Sequence, residues 1–507
     1  MPSAKKTKKP APTAQRASHT QTEVERKYDV GADTALPDLV GAGAVAAIER
    51  ETPVALRAEY FDTSGRALSR GRITLRRRAG GADEGWHVKL PGSAGRTEIH
   101  APLTESSAVP TVIRSAVLGH VGRSRLEPLA LLETRRGITR VLDSSGRQLA
   151  EVADDLVVAV DARTGVERRW REWEVELVDA SGPEGEAVLD AIQERLLAGG
   201  ARPAESASKL ARATGGPIDD RRPAPRDGGE AALAAIAALL RELRAVDPFV
   251  RLESENALHR MRTLSRRLRS VLAASRSVLD RTATDPIRDE LRWLGSVLGA
   301  ARDEEVLGAR LRSDLDEAAE QLPAAAVPPG TILEEVERRH GVAVRRVART
   351  LRGGRYLDLL ASLDELLGDP PRLAKAASSP KKLVKRSLKK ELDRLGTARG
   401  GTDRHEVRKA AKRLRYVVEA WRAVVPSAVG SAPHRLGSAA EDIADALGEQ
   451  RDALAARRAL GEHAARATRL GEPAAALGVA FAEEGHRARA AGRSADEAFA
   501  RFDALSR

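Results

Sequence analysis

Through residues 21–180 apolar and polar positions alternate with a period of two, the pattern of strands with one face buried. Candidate strands are Thr22–Val30, Leu56–Asp62, Ile73–Arg78, Trp86–Leu90, Arg96–His100, Leu129–Leu142, Gln148–Val160 and Trp170–Val178. Turn signals such as Ala79-Gly80-Gly81 and Ser144-Ser145-Gly146 separate several of them. Helical insertions are expected near Pro37–Glu49, Ser106–Leu118 and Glu184–Ala198. Many short antiparallel strands at hairpin spacing predict a barrel or sandwich.

The pattern then changes. A linker over residues 216–228 carries Pro217, Pro223 and Pro225. Beyond it Ala, Leu and Arg recur with a 3.6-residue period, so residues 229–507 are expected to be all-helical. This half also repeats itself. Leu258-His259-Arg260-Met261-Arg262 returns as Arg404-His405-Glu406-Val407-Arg408, and Leu298-Gly299-Ala300-Ala301-Arg302-Asp303 returns as Leu447-Gly448-Glu449-Gln450-Arg451-Asp452. Two copies, over about 229–370 and 375–507, predict a pseudo-symmetric bundle. The fold class is therefore α+β and multidomain: a basic tail (1–20), a β domain (21–215) and a duplicated helical bundle.

Charge narrows the partners. Lys and Arg number 85 against 73 Asp and Glu, a net +12, which favours polyanions such as nucleic acid, phosphate chains or an anionic surface. No cysteine is present, which excludes disulfides and thiolate metal sites and fits a reducing cytoplasm. Lys5, Lys6, Lys8 and Lys9 are expected to form a disordered basic tail without the apolar core of a secretory signal.

Strand alternation sorts the charges by face. Glu23, Glu25 and Lys27 share one face, as do Arg76 and Arg78, His87 and Lys89, Arg96 and Glu98, and Glu172, Glu174 and Glu176. An ordinary sheet would turn such a face to water. Acidic pairs, however, fall on the first and last strands and basic residues on the middle ones. Closed with this face inward, the sheet would hold Mg²⁺ or Mn²⁺ through carboxylate oxygens and phosphate through Arg and Lys. That combination cleaves phosphoanhydrides.

At these residues the chain resembles the CYTH domains, the triphosphate tunnel metalloenzymes. Glu23-Val24-Glu25-Arg26-Lys27 is similar to their ExExK signature. The likeness continues through Tyr60-Phe61-Asp62-Thr63, Thr74-Leu75-Arg76-Arg77-Arg78, Gly85-Trp86-His87-Val88-Lys89-Leu90-Pro91, Ala150-Glu151-Val152-Ala153-Asp154-Asp155, Glu172-Trp173-Glu174-Val175-Glu176-Leu177 and Ser208-Lys209. The resemblance implies an eight-stranded antiparallel tunnel that binds a triphosphate. It makes Glu23, Glu25 and Lys27 the catalytic signature, and Glu23, Glu25, Glu151, Asp154, Glu174 and Glu176 the metal-side carboxylates. Lys27, Arg76, Arg78, Lys89, Arg96, Arg135 and Lys209 become the phosphate clamps. Family members often carry a basic residue two places before Arg135; this chain has Glu133.

In the helical half, His259, Arg262, Arg266 and Arg269 fall within an arc of roughly 80°. His405, Arg408, Lys412 and Arg415 repeat the arrangement, each stripe opposite an apolar seam, and Arg302 and Arg451 extend the surface. This repeat resembles the CHAD domain, and the resemblance implies binding of inorganic polyphosphate along those ten residues. The stripes are expected to lack partnered carboxylates, so catalysis is not expected there.

The leading expectation is metal-dependent hydrolysis of inorganic triphosphate or a short polyphosphate, with polyphosphate held by the bundle, in the cytoplasm and in association with polyphosphate granules. A non-catalytic polyphosphate adaptor is the alternative. Thiamine triphosphatase and adenylate cyclase activities rank lower, the latter because no adenine pocket is legible. Nucleic acid also ranks lower, since aromatic residues make up only 3% and leave few stacking platforms.

Overall fold

The computed structural model describes residues 21–92, 96–206, 208–216, 218, 223–323 and 331–506. The predicted basic tail and part of the linker lie outside them. The chain divides into two compact units, residues 1–220 and 221–507.

Among the described residues the first unit is built on an antiparallel sheet of 11 strands, where eight were expected. Its strands are β1 (Gln21–Glu23), β2 (Glu25–Val30), β3 (Ala47–Arg50), β4 (Val54–Asp62), β5 (Thr74–Ala79), β6 (Gly85–Pro91), β7 (Arg96–Ala101), β8 (Glu127–Leu142), β9 (Gln148–Asp161), β10 (Glu167–Leu177) and β11 (Arg202–Pro203). The order is β1-β7-β6-β5-β4-β8-β9-β10-β2-β11, with β3 paired to β8. Only Val24 separates β1 from β2. This first stretch therefore pairs with β7 through Glu23–Arg96 and with β10 through Glu25–Glu176, linking two strands that lie far apart in the strand order.

Among the described residues four helices accompany the sheet: α1 (Ala67–Arg70), α2 (Thr111–Val121), α3 (Gly182–Ala198) and α4 (Lys209–Ala213). Trp173, Val175 and Leu177 alternate with the glutamates of β10 and pack in one apolar cluster with Val188, Leu189, Ile192 and Leu196 of α3. Each such side chain contributes roughly 1.5–3 kcal/mol on burial. The apolar face of this strand is thus covered by a helix, and its glutamates turn the other way.

The helix expected at Pro37–Glu49 does not form. Gly41 and Gly43 adopt positive φ (80° and 56°) in consecutive turns, and the segment ends in β3 on the edge of β8. Left-handed glycines and Pro37 break the helical path. Likewise α2 begins at Thr111, after Pro110, rather than at Ser106.

The second unit is all-helical among the described residues, apart from an isolated bridge between Leu279 and Arg372. Its helices are α5 (Gly228–Arg251), α6 (Ala257–Ala274), α7 (Arg281–Glu320), α8 (Thr331–Arg352), α9 (Gly354–Gly368), α10 (Pro380–Arg399), α11 (Arg404–Val424), α12 (Pro426–Val429), α13 (Ser431–Leu470) and α14 (Ala475–Ser506). Asp227 caps α5 by accepting from the Glu230 N–H at 2.8 Å, and Asp403 caps α11 through His405 N–H at 2.8 Å. Met261, Leu264, Leu268 and Leu272 of α6 enter the main core together with Val407, Leu414 and Val418 of α11. The two basic helices pack on each other, α6 also on α7, and α11 also on α13. A second apolar cluster joins Leu311 and Leu315 of α7, Val336 of α8, Leu460 of α13 and Leu477 of α14.

Candidate functional site

Three rungs of the β ladder build the first site. One runs Glu25–Glu176–Glu151–Arg140, the next Lys27–Glu174–Ala153, and the third Asp29–Glu172–Asp155–Arg136. Across the sheet, Arg76 lies opposite Tyr60 and His87, and Lys89 opposite Thr74 and Glu98. These strands enclose a cavity of about 110 Å³ lined by charge from many directions. Glu25, Lys27, Arg76, Arg78, Lys89 and Glu98 line it, as do Arg136, Glu174, Glu176 and Lys209. Helix α4 delivers Lys209; Ser208 caps the helix by accepting the Ala211 N–H at 3.1 Å.

The cavity has two ends with different electrostatics. At one, the Lys209 ammonium sits 2.9 Å from Asp155, 2.7 Å from Glu172 and 2.7 Å from Glu174. Arg136 adds a bidentate pair with Asp155 (2.8 and 2.6 Å) and reaches Glu174 at 3.0 Å. Lys27 bonds to Glu174 and, at 3.0 Å, to Glu25. Burial opposes the charge on Glu174, but Lys209, Lys27 and Arg136 outweigh it and hold the carboxyl well below its ordinary range. Burial likewise opposes the charge on Lys209, and Glu174, Asp155 and Glu172 reverse the effect, raising its pKa.

Asp155, Glu172 and Glu174 are close enough together to hold a cation, and Lys209 already takes that position. Around Glu176 the balance differs. Burial raises its pKa; Lys89 lowers it, and Glu25, Glu151 and Glu174 push it further up. Burial also raises Glu151. Crowded carboxylates of this kind are a fit for a hard divalent ion held by oxygen.

The opposite wall is cationic. Arg78, 5% exposed, pairs with Asp83, and its pKa is pushed down to about 9 by burial, Arg76 and Arg136. That repulsion is what a bound anion relieves. His87 hydrogen-bonds with Glu98 at 2.7 Å and with the Asp83 carbonyl at 2.8 Å. Burial takes it down to about 4, so it is neutral at pH 7.

In the helical unit the repeat is visible in atomic detail. The Arg262 guanidinium lies over Gly299 of α7, and Arg408 lies over Gly448 of α13; a Cβ at either glycine would meet the guanidinium at 3.5 or 3.3 Å. The glycine of each Leu-Gly-x-x-Arg-Asp stretch thus makes room for an arginine. Beside them, a cleft of about 290 Å³ is lined by Arg266, Arg269, Arg288, Arg394, Lys412 and Arg413. Lys412 is brought down to about 8 by burial, Arg408 and Arg266, and Arg269 to about 10 by burial, Arg292 and Arg288. His259 is lowered by burial and by Arg302, Arg262 and Lys412.

Residues 21–212 match the CYTH domain and residues 234–461 the CHAD domain. Over 421 residues the chain is 37% identical to an uncharacterized protein of Mycobacterium tuberculosis, covering 78% of this chain and 82% of that one. The chain belongs to the CYTH–CHAD family. Its CYTH part is 34% identical over 128 residues to thiamine-triphosphatase of Macaca fascicularis, covering 23% of this chain and 51% of that protein. Among solved structures it is similar to PptA from Streptomyces chartreusis (22% identity, TM-score 0.44, 54% of this chain and 99% of that one). It is also similar to the CHAD domain of Ricinus communis (23% identity, TM-score 0.42, 56% of this chain and 94% of that one). No described helix is long and apolar enough to cross a membrane.

Within the CYTH domain the cavity gathers Glu25, Lys27, Arg76, Arg78, Lys89, Glu174, Glu176 and Lys209. Glu151 stands on the Glu176 rung. The side chains of Glu23 and Arg96 lie outside the described residues. Two expected positions are off by one. Arg135 is exposed on the outer face, and Arg136 enters the cavity instead. Asp154 turns outward to a bidentate pair with Arg171 (2.8 and 2.6 Å), and Asp155 faces in, fully buried. Alternation carried the signal: from Glu151 the same face returns at Ala153 and Asp155, and Asp155 lies opposite Arg136. With Arg136 inside, the position two before it is Thr134, so Glu133, on the outer face, displaces no clamp. Glu172 completes the inward row of β10.

The CHAD stripes are not free of carboxylates. Arg262 pairs with Asp303 (3.1 Å), Arg302 with Glu305 (2.9 Å) and Arg451 with Asp452 (2.6 Å). Arg415 pairs with Glu419 and Glu441, both at 2.7 Å. Arg266, Arg269 and Lys412 line the cleft, Arg408 is buried over Gly448, His405 is exposed, and His259 is exposed at the surface yet partly desolvated among its cationic neighbours. Side chains one, three or four residues along the helix, or on the neighbouring helix, supply these partners, and a count of basic positions alone misses them.

Proposed function

We propose that the CYTH domain hydrolyses inorganic triphosphate or a related short polyphosphate in a metal-dependent reaction, and that the CHAD domain binds polyphosphate. The observation that carries this reading is the convergence of opposite charges in one cavity: a cationic wall of Arg76, Arg78 and Lys89 faces crowded carboxylates around Glu176. The wall, with Lys27 and Lys209, would bind the phosphate oxygens as charge-assisted hydrogen-bond donors. Glu25, Glu151, Glu174 and Glu176, with Glu23 from the same signature, would hold Mg²⁺ or Mn²⁺. Such an ion polarises the phosphoryl group and makes water a stronger nucleophile. Water adds its oxygen to a terminal phosphorus, the P–O–P bond breaks, and orthophosphate leaves with pyrophosphate.

Similarity to a thiamine-triphosphatase supports triphosphate as the recognised group and leaves open what is attached to it. A panel of inorganic triphosphate, thiamine triphosphate, ATP and long polyphosphate, each with Mg²⁺ and Mn²⁺, tests the reading. The highest kcat/KM is expected for inorganic triphosphate. A clear preference for thiamine triphosphate would replace that substrate, and binding of polyphosphate without any turnover would favour an adaptor.

A further inference from the structure

We propose that the exposed face of α10 is a docking surface for B-form duplex DNA, held through its phosphate backbone without readout of base sequence.

The face follows from the local sequence. Pro380, at the first helical position, starts α10. Leu383, Val384 and Leu388 then enter the main core, and Ser387 and Glu391 are buried beside them. The positions left outside between 381 and 390 are Lys381, Lys382, Lys385, Arg386, Lys389 and Lys390, and every one is cationic. Exposed positions on other helices mix their chemistry, as Glu334, Glu337, Arg338 and Val342 do on α8. Lysine is otherwise scarce. The chain has 15 lysines, and five fall within these ten residues.

Local physics opposes this arrangement. Cations in a first turn meet the positive end of the helix dipole, and α10 has no acidic residue there. Like charges four places apart repel, and both Lys381–Lys385–Lys389 and Lys382–Arg386–Lys390 are such rows. Among the described residues none of the six side chains forms an ion pair; the nearby Glu391 takes Arg413 and Arg394 instead. Cations kept together against the stability of their own helix point to a partner of opposite charge.

Geometry selects that partner. The six side chains span roughly 180° of the helix circumference and about 14 Å of its axis, with about 6 Å between neighbours in a row. A convex ridge charged on its crest and both flanks fits a groove with anions along both rims. A flat lipid surface would meet the crest alone. The major groove of B-form DNA is wide enough for an α-helix, whereas that of an A-form RNA duplex is deep and narrow. Lysines are point charges on flexible stems, and the face carries no Asn or Gln to read adenine, so its contacts fall on phosphates. The low aromatic content disfavours stacking on single strands and has no bearing on a duplex held by its backbone.

The test measures binding of the full chain to a fluorescent DNA duplex of random sequence over a range of salt concentrations, with thermal melts confirming folding. Lys381→Gln/Lys385→Gln/Lys389→Gln should lower the slope of log affinity against log salt by about 3 and weaken binding at ~0.1 M salt at least roughly tenfold. Lys381→Arg/Lys385→Arg/Lys389→Arg keeps the charge and should keep the affinity. Arg345→Gln/Arg346→Gln/Arg349→Gln, on the exposed side of α8, removes the same net charge and should change binding by less than about threefold. An RNA duplex of equal length should bind more weakly. Equal losses from the two glutamine variants, equal affinity for the RNA duplex, or no DNA binding by the wild-type chain would overturn the proposal. A loss confined to long-chain polyphosphate, or to phosphatidylserine vesicles, would also overturn it by giving the face a different occupant.

Discussion

Arg135 and Arg136 are neighbours in sequence and differ completely in surroundings. Arg136 is held by Asp155 and Glu174 within the cavity; burial works against its charge, but those carboxylates outweigh it and leave it firmly protonated. Arg136→Gln should therefore lower kcat/KM for triphosphate by roughly 100-fold, the scale for losing a donor aimed at developing charge. Arg135→Gln should stay within about twofold, as expected for a surface change. Steady-state kinetics on the two variants checks this, and comparable losses would return Arg135 to the site. Most of the cavity was legible from residue types, because a charged face that alternates with Trp and Val can only be buried or wet. The exact inward residue was not legible where two candidates adjoin, as in Asp154-Asp155 and Arg135-Arg136. There only the register decides, and register depends on partners distant in sequence.

Asp314 makes a different residue-scale prediction. It is 3% exposed, and burial with the nearby Glu484 raises its pKa from 3.8 to about 6. Between those values the folded chain binds a proton that the unfolded chain does not. The contribution to stability is thus greatest in acid and is lost as pH rises through 6. The melting-temperature gap between wild type and Asp314→Asn should shift in favour of wild type as pH falls from about 7.5 to 5. A gap independent of pH would contradict the shift.

At the scale of elements, the β5–β6 hairpin matters most, since it presents Arg76, Arg78 and Lys89 together. Gly80 turns it with φ of 84°, and a Cβ there would lie 2.4 Å from the Ala55 carbonyl oxygen. Gly80→Ala should destabilise the CYTH domain by about 2–4 kcal/mol, combining positive-φ strain with a backbone clash. Denaturant titration measures the loss, and a change under about 0.5 kcal/mol would show that the hairpin can re-form another way. This turn was readable from Gly80-Gly81. The failed helix at Pro37–Glu49 was readable in part, because Pro37, Gly41 and Gly43 all oppose helix formation. The long helices of the second unit were evident from periodicity, whereas the Arg262–Asp303 and Arg415–Glu441 ion pairs depend on which helices adjoin.

For the whole molecule, each unit has its own apolar core, so each is expected to unfold as its own cooperative event. Triphosphate with a divalent metal should raise the midpoint of the CYTH transition, since a ligand stabilises the state that binds it. The most direct measurement of the central claim is phosphate release from inorganic triphosphate by the full chain with Mg²⁺ or Mn²⁺, beside a Glu25→Gln/Glu176→Gln variant. A metal-dependent wild-type rate at least roughly 100-fold above the variant is predicted, the scale for losing groups that serve the transition state. Equal rates for the two proteins, or release that chelation leaves untouched, would contradict the account.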